Sequence, residues 1–349
     1  MLKHGMIIIE LVSSPPEDVK IRKTLSLEFI FSVLVLMFVM STNVSAQWFD
    51  HSFAVMGTEV RIRFWLEDPA QGDIAQQAVV DEMQRIDNTM SPYIESSLLY
   101  QINQQAALKP FKLSRELYQL IEKSIEISHL TQGVFDITFS SVGYMYDYRL
   151  KQKPTAQQLK NNLSLINYHL IELDPETHSI FLKKKGVRID LGGIAKGYAV
   201  DNCISILKRF GAKDASVTAG GDTFVLGDNQ GKLWRVGIKH PRAESKLVTV
   251  LPLENSAIST SGDYERFFIE NGKRYHHILN PKTGKSASEV QSVTILADTS
   301  TFADALSTSV FILGVQKGLA LADSLPQVSA IIVDKNGKIF YSSDLVVPQ

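Results

Sequence analysis

Residues Val187–Asp201 read VRIDLGGIAKGYAVD. Val187–Leu191 is apolar enough to predict a buried strand, and Ile194–Phe210 predicts a helix, with Ile194, Tyr198, Ile204 and Leu207 on one face. Gly192 and Gly193 fall at the junction. A helix N-terminus offers unpaired N–H groups and a partial positive charge, and glycine lets an anion approach the backbone. Lys196 adds a positive charge in the first turn. Close strand–helix packing explains the same glycines equally well. The stretch is neither G-x-G-x-x-G nor G-K-[ST], so the residues alone leave both readings open.

The flanking sequence predicts helices and strands without a regular βαβ repeat. Phe53–Leu66 carries the strand signal, alternating apolar and polar from Val60 to Phe64. Asp73–Asn88 has a helical apolar face and Ser114 starts another helix that runs to about Leu130. Thr155-Ala-Gln-Gln158 reads as a capping box. His169–Leu173 and Ser179–Lys183 predict a hairpin, and further strands are expected at Ala215–Thr218, Phe224–Leu226 and Trp234–Lys239. Thr301–Ala322 reads as a long helix and Ala330–Ile339 as a closing hairpin turning at Lys335-Asn-Gly337. The expected fold is α+β, one domain of mixed sheet flanked by helices, with room for two lobes.

The chain has 349 residues, 44% hydrophobic and 21% charged, with a net charge of −1. No global basic field favours nucleic acid. A lone cysteine, Cys203, excludes an intrachain disulfide and a cysteine-based zinc site. Near the N-terminus, Lys20, Arg22 and Lys23 precede the apolar run Phe29–Met40, then Val44 and Ala46 stand at signal-peptidase positions. Residues 1–46 are therefore expected to be a secretory signal and 47–349 the functional domain. The product would be exported to the periplasm, or held at the periplasmic face of the inner membrane if the segment stays as an anchor.

Four stretches can carry chemistry. Ala219-Gly-Gly-Asp222 is a glycine turn with a carboxylate. Ile258–Glu265 (ISTSGDYE) is dense in hydroxyls and contains Asp263. Tyr275-His-His-Ile-Leu-Asn-Pro281 holds adjacent histidines; on a strand they point opposite ways, so at most one faces a site. Asp304 and Thr308, spaced i, i+4, share a helix face and suit Mg²⁺, although an acidic residue near a helix N-terminus is also favourable with the dipole alone.

Taken in order, the motifs resemble the ApbE family of FAD:protein FMN transferases. They are Met56-Gly-Thr58, Met90-Ser-Pro-Tyr93 with Ser97-Leu-Leu and Asn103, Gly133-Val-Phe-Asp-Ile-Thr138, Asp190–Asp201, Ala219-Gly-Gly-Asp222, Ile258–Tyr264, His277–Gly284 and Ala303–Gly314. The resemblance covers almost all of the chain after residue 46. It implies Mg²⁺-dependent cleavage of the FAD pyrophosphate, with Mn²⁺ as an alternative metal. FMN would pass to a Ser or Thr hydroxyl of a target flavoprotein, a respiratory redox-complex subunit or a periplasmic flavoprotein, with release of AMP. It places flavin contacts on Met56, Tyr93, Val134, Phe135, Asp136, Asp190, Lys196 and Ile278. It places metal contacts on Gly193 (by its carbonyl), Asp304, Ser307 and Thr308; some relatives carry a carboxylate where this chain has Ser307. His277 matches a histidine associated with catalysis and is the expected base, with Asp263 as the second candidate. Lys196 would pair with a phosphate or with Asp190, and Asp190 could instead cap the following helix. An FAD pyrophosphatase and a non-catalytic FAD carrier are the competing readings.

Overall fold

Phe53–Leu66 is not one strand. The computed structural model, which describes residues 46–243 and 245–346, turns the chain back at Met56–Gly57. Strand β1 (Gln47–Val55) pairs antiparallel with β2 (Thr58–Leu66), Val55 facing Thr58. Both turn residues have positive φ, 54° at Met56 and 71° at Gly57, the geometry of a two-residue type I′ hairpin. Gly57 adopts it freely; a methionine there is strained. The expected signal segment lies outside the described residues.

Six more strands complete one sheet: β3 (Ala215–Ala219), β4 (Asp222–Leu226), β5 (Ser256–Gly262), β6 (Val290–Ala297), β7 (Ser329–Asp334) and β8 (Ile339–Tyr341). They lie side by side in chain order, each pair antiparallel. The sheet is thus a meander whose connections are expanded. The link from β2 to β3 holds helix α1 (Gly72–Met90), the helices Leu98–Gln105 and Arg115–Leu130, a three-stranded sheet and helix α2 (Ala195–Arg209). The predicted Ser114 cap, the Thr155 capping box and the hairpin at Ile171–Leu182 all form.

Helix α3 (Ser300–Asp323) lies between β6 and β7 in the chain and packs on β5, β6, β7 and α2. It is apolar on all sides because it is a core helix. Among the described residues it alone is long and apolar enough to cross a membrane, yet half of its most apolar window is buried within the fold. Gly314 (φ 74°, ψ −175°) interrupts it.

Two contacts lock α2 to α3. Asp201 in α2 accepts from the backbone N–H of Ser300 and Thr301 at 2.9 and 2.8 Å, capping α3. Asp304 in α3 accepts from the Gly197 N–H at 3.1 Å, near the start of α2. A Cβ on Gly197 would lie 2.2 Å from the Ser300 carbonyl oxygen, so only glycine permits this approach.

Val187–Leu191 is buried but is not a strand. Side chains replace the missing neighbour. Asn103 donates to the Ile189 carbonyl at 2.8 Å and accepts from its N–H at 2.7 Å. The Arg188 N–H donates to Ser141 Oγ at 3.0 Å, and the Asp190 N–H to the Ile137 carbonyl at 2.9 Å. These bonds satisfy the buried backbone without a ladder.

Candidate active site

Strands β4 and β5 and helices α2 and α3 converge on one polar cluster. Asp222 and Ser259 are cross-strand partners on β4 and β5, and Ser259 Oγ donates to Asp222 Oδ1 at 2.5 Å. Ser259 and Ser261 project from the same face of β5, as the two-residue period of a strand requires. Ser307 of α3 lies 3.1 Å from the first hydroxyl and 2.8 Å from the second. Thr308 Oγ1 is 3.4 Å from Ser261 Oγ. Gly193 joins from the loop before α2: a Cβ there would meet the Phe135 ring at 3.3 Å and Thr308 Oγ1 at 3.6 Å.

Lys196 closes the cluster. Its ammonium stands 2.8 Å from Asp222 Oδ2 and 3.2 Å from Asp304 Oδ2, and 3.4 Å from the Gly192 carbonyl. The Asp222 contact is an ion pair without hydrogen-bond alignment, for Asp222 Oδ2 is buried and has no hydrogen-bond partner. Of its two expected partners, Asp190 is not the one used: Lys196 pairs with Asp222 and Asp304. Burial disfavours its ammonium, but the two carboxylates outweigh that and raise its pKa. Burial, reinforced by Asp222, pushes Asp304 up to about 7.

Two buried carboxylates against one ammonium leave a site short of positive charge. Among the described residues, no group of three or more His, Cys, Asp or Glu side chains gathers to hold a metal. The donors are instead two carboxylates, hydroxyls and a nearby loop carbonyl, hard oxygens that fit a magnesium-type cation rather than zinc.

The histidine pair falls at the end of a short strand, Lys273–His276, rather than within one. His276 is fully used: its Nε2 lies 2.6 Å from the Ala287 carbonyl, its Nδ1 accepts from the Ile278 N–H at 3.3 Å, and its ring packs edge-on against Phe311. His277 lies in the bend that follows the strand. Its backbone N–H donates to the Arg266 carbonyl, but its Nδ1 is buried with no partner. Burial, with the positive charges of Arg266 and Lys196 adding to it, lowers its pKa to about 3 and keeps the ring neutral. Asp263 is differently placed: both its oxygens accept from Arg242, at 2.7 and 2.5 Å, and Arg274 stands 3.8 Å away.

The remaining expected ligand contacts surround this cluster. Tyr93 is 78% exposed, a large aromatic ring with an open face. Met56 sits in the β1–β2 turn, its N–H donating to Asp87 at 3.2 Å. Val134, Phe135 and Ile278 are buried walls. Asp136 turns inward: it accepts from the N–H and hydroxyl of Thr138 and from the Tyr168 N–H, so only its backbone is available to a ligand. Asp190 accepts from the Gly192 N–H at 2.7 Å and holds the glycine turn; burial raises its pKa. Reasoning from sequence assigned no role to Ser259 or Ser261 and noted Asp222 only as a carboxylate after a glycine turn. The hydroxyl density of Ile258–Glu265 was the signal; the pairing of β4 with β5 was needed to use it.

The fold brings together a buried cluster of carboxylates, hydroxyls and one ammonium, the arrangement of an enzyme site. The comparisons place it more closely. The ApbE family model matches residues 56–332, and the chain belongs to the ApbE family. It is 31% identical over 311 residues to the FAD:protein FMN transferase of Treponema pallidum, spanning 84% of this chain and 86% of that protein. It is 30% identical over 299 residues to that of Klebsiella pneumoniae, spanning 84% and 92%. The solved ApbE protein of Thermotoga maritima superposes with a TM-score of 0.79 at 34% identity, over 85% of this chain and 98% of that one. The flavin transferase ApbE of Vibrio cholerae gives 0.76 at 26% identity, over the same shares.

Proposed function

We propose that this chain is an FAD:protein FMN transferase that joins FMN through its phosphate to a Ser or Thr hydroxyl of a target flavoprotein. The observation that carries the reading is the buried Lys196–Asp222–Asp304 cluster, in a chain of this family. In the reaction, the acceptor oxygen forms a bond to the flavin-side phosphorus while the bond from that phosphorus to the bridging oxygen breaks. AMP leaves with the bridging oxygen. The acceptor's proton goes to His277.

Each residue then has a task. His277 takes the proton, and an anionic pyrophosphate beside it raises its pKa from the depressed value of the free enzyme. Asp263 does not serve as the base here; it fixes Arg242 and Arg274 around the hairpin that carries His277. Tyr93 offers its exposed ring to stack on the flavin, a gain of about 1 kcal/mol beyond area burial. Met56, Val134, Phe135, Ile278 and the Asp136 backbone shape the flavin pocket, and Asp190 holds the Gly192–Gly193 turn open to the ligand. Asp304, Thr308, Ser307 and the Gly193 carbonyl would hold Mg²⁺, or Mn²⁺, which when bound supplies charge neutralisation at the phosphate oxygens. Lys196 balances the carboxylates. The acceptor would be a respiratory redox-complex subunit or a periplasmic flavoprotein, met outside the cytoplasm as the N-terminal segment implies.

The test is AMP release from FAD by the purified chain, with Mg²⁺ and with EDTA, in the presence and absence of an acceptor domain. Release that needs both metal and acceptor supports transfer. Release without acceptor marks a pyrophosphatase, and FAD binding with no AMP marks a carrier.

A further inference from the structure

Arg266 is a positive charge at this site with no assigned role. Lys196, Arg242 and Arg274 each have a carboxylate within 3.8 Å. Arg266 has no ion pair and no side-chain hydrogen bond among the described residues, and it is exposed. Its place is nonetheless fixed. Its carbonyl accepts from the His277 N–H at 3.1 Å. Its side chain reaches the β1–β2 turn, where a Cβ on Gly57 would come within 3.2 Å of Nη2. One residue therefore links the proposed base to the turn that carries Met56. Its charge is felt by Tyr93, Asp190 and His277, which ring the expected flavin position.

Exposed and without a counter-charge, the Arg266 guanidinium keeps its N–H donors free for an anionic ligand. Carboxylates near it do not supply one: Asp190 is engaged with Gly192, and Asp263 with Arg242. The planar fork of a guanidinium matches phosphate oxygens bidentately, which a lysine cannot reproduce.

We infer that Arg266 is a phosphate-binding residue that clamps the flavin-side phosphate of FAD between the Met56–Gly57 turn and His277. This rests on the transferase reading above. Binding there would also place negative charge between Arg266 and His277, removing one cause of the depressed basicity of the imidazole.

The experiment compares FAD, FMN and riboflavin binding by fluorescence titration in EDTA, for the wild type, Arg266→Gln and Arg266→Lys, with thermal melts alongside. Arg266→Gln is expected to weaken FAD and FMN about tenfold or more, the loss of a charge-assisted pair, with riboflavin affinity and melting unchanged. Arg266→Lys should recover part of the loss. Undiminished FAD and FMN binding by Arg266→Gln overturns this inference alone. An equal loss of riboflavin binding also overturns it, since riboflavin has no phosphate. Failure of the wild type to bind FAD both in EDTA and with Mg²⁺ overturns the transferase reading, and this one with it.

Discussion

The Lys196 ammonium lies 3.2 Å from the Asp304 carboxylate, joining the first turn of α2 to the first turns of α3 where the sheet's β4–β5 pair meets them. Asp222 shares the same ammonium. One lysine thus stands against two buried carboxylates, and the cluster is set up to gain from a second cation.

Replacing Asp304 by Asn keeps an acceptor for the Gly197 N–H and removes the charge. AMP release should fall by at least about 100-fold, the scale for losing one preorganised charge contact in a buried site. Chemical denaturation should show little loss of stability, because repulsion from Asp222 is relieved. Wild-type turnover in this variant would remove Asp304 from the site.

His277→Ala should lower the rate of FMN transfer by about 10²–10⁴-fold, the range for loss of a general base, with FAD affinity nearly unchanged. Single-turnover AMP release at saturating FAD is the measurement. A variant that transfers at the wild-type rate would make another group the base.

The depressed pKa of His277, about 3 against 6.5 unfolded, has a stability consequence with a definite sign. Between those values the unfolded chain binds a proton that the native chain does not. The residue therefore costs stability progressively as pH falls below 6.5 towards 3, and adds no pH dependence above that window. His277→Gln should flatten this part of the acid-unfolding curve. Denaturation midpoints measured from pH 4 to pH 7 without ligand check it; parallel curves would contradict the buried, neutral ring.

Asn103→Ala should destabilise the chain by about 2–4 kcal/mol, since it orphans two buried backbone groups of Ile189. It should also weaken FAD binding, because Asp190 and the glycine turn follow immediately. Denaturant titration and fluorescence titration read the two effects separately.

Gly197→Ala should force α2 from α3, at a cost of about 1–3 kcal/mol for overpacking. Activity should fall with stability, since the Asp304–Gly197 bond depends on the same approach. A fully active, equally stable alanine variant would contradict the packing seen there.

Much of this was legible in the sequence because it is local. Helix starts at Ser114 and Thr155, the hairpin after Ile171 and the long apolar helix carry their own caps and periods. The i, i+4 pair Asp304 and Thr308 follows from helix geometry alone. Other features were hidden for physical reasons. The Met56–Gly57 turn lacks the Asn-Gly signature, so a strained methionine hid a hairpin. Val187–Leu191 has the composition of a strand, but Asn103, more than eighty positions away in the chain, takes the place of its partner. The contact of Lys196 with Asp222 depends on strand pairing that no single sequence displays. Asp136 matches a ligand-binding motif, yet its carboxylate is spent on Thr138 and Tyr168.

The most direct measurement is the intact mass of an acceptor flavoprotein domain after incubation with residues 47–349, FAD and Mg²⁺, with AMP followed in the same tube. The transferase reading predicts a gain of one FMN residue per acceptor, matched by AMP, and lost with EDTA, with Asp304→Asn and when the acceptor hydroxyl is replaced by Ala. AMP released with no gain in acceptor mass, across acceptors bearing a competent Ser or Thr, would contradict it.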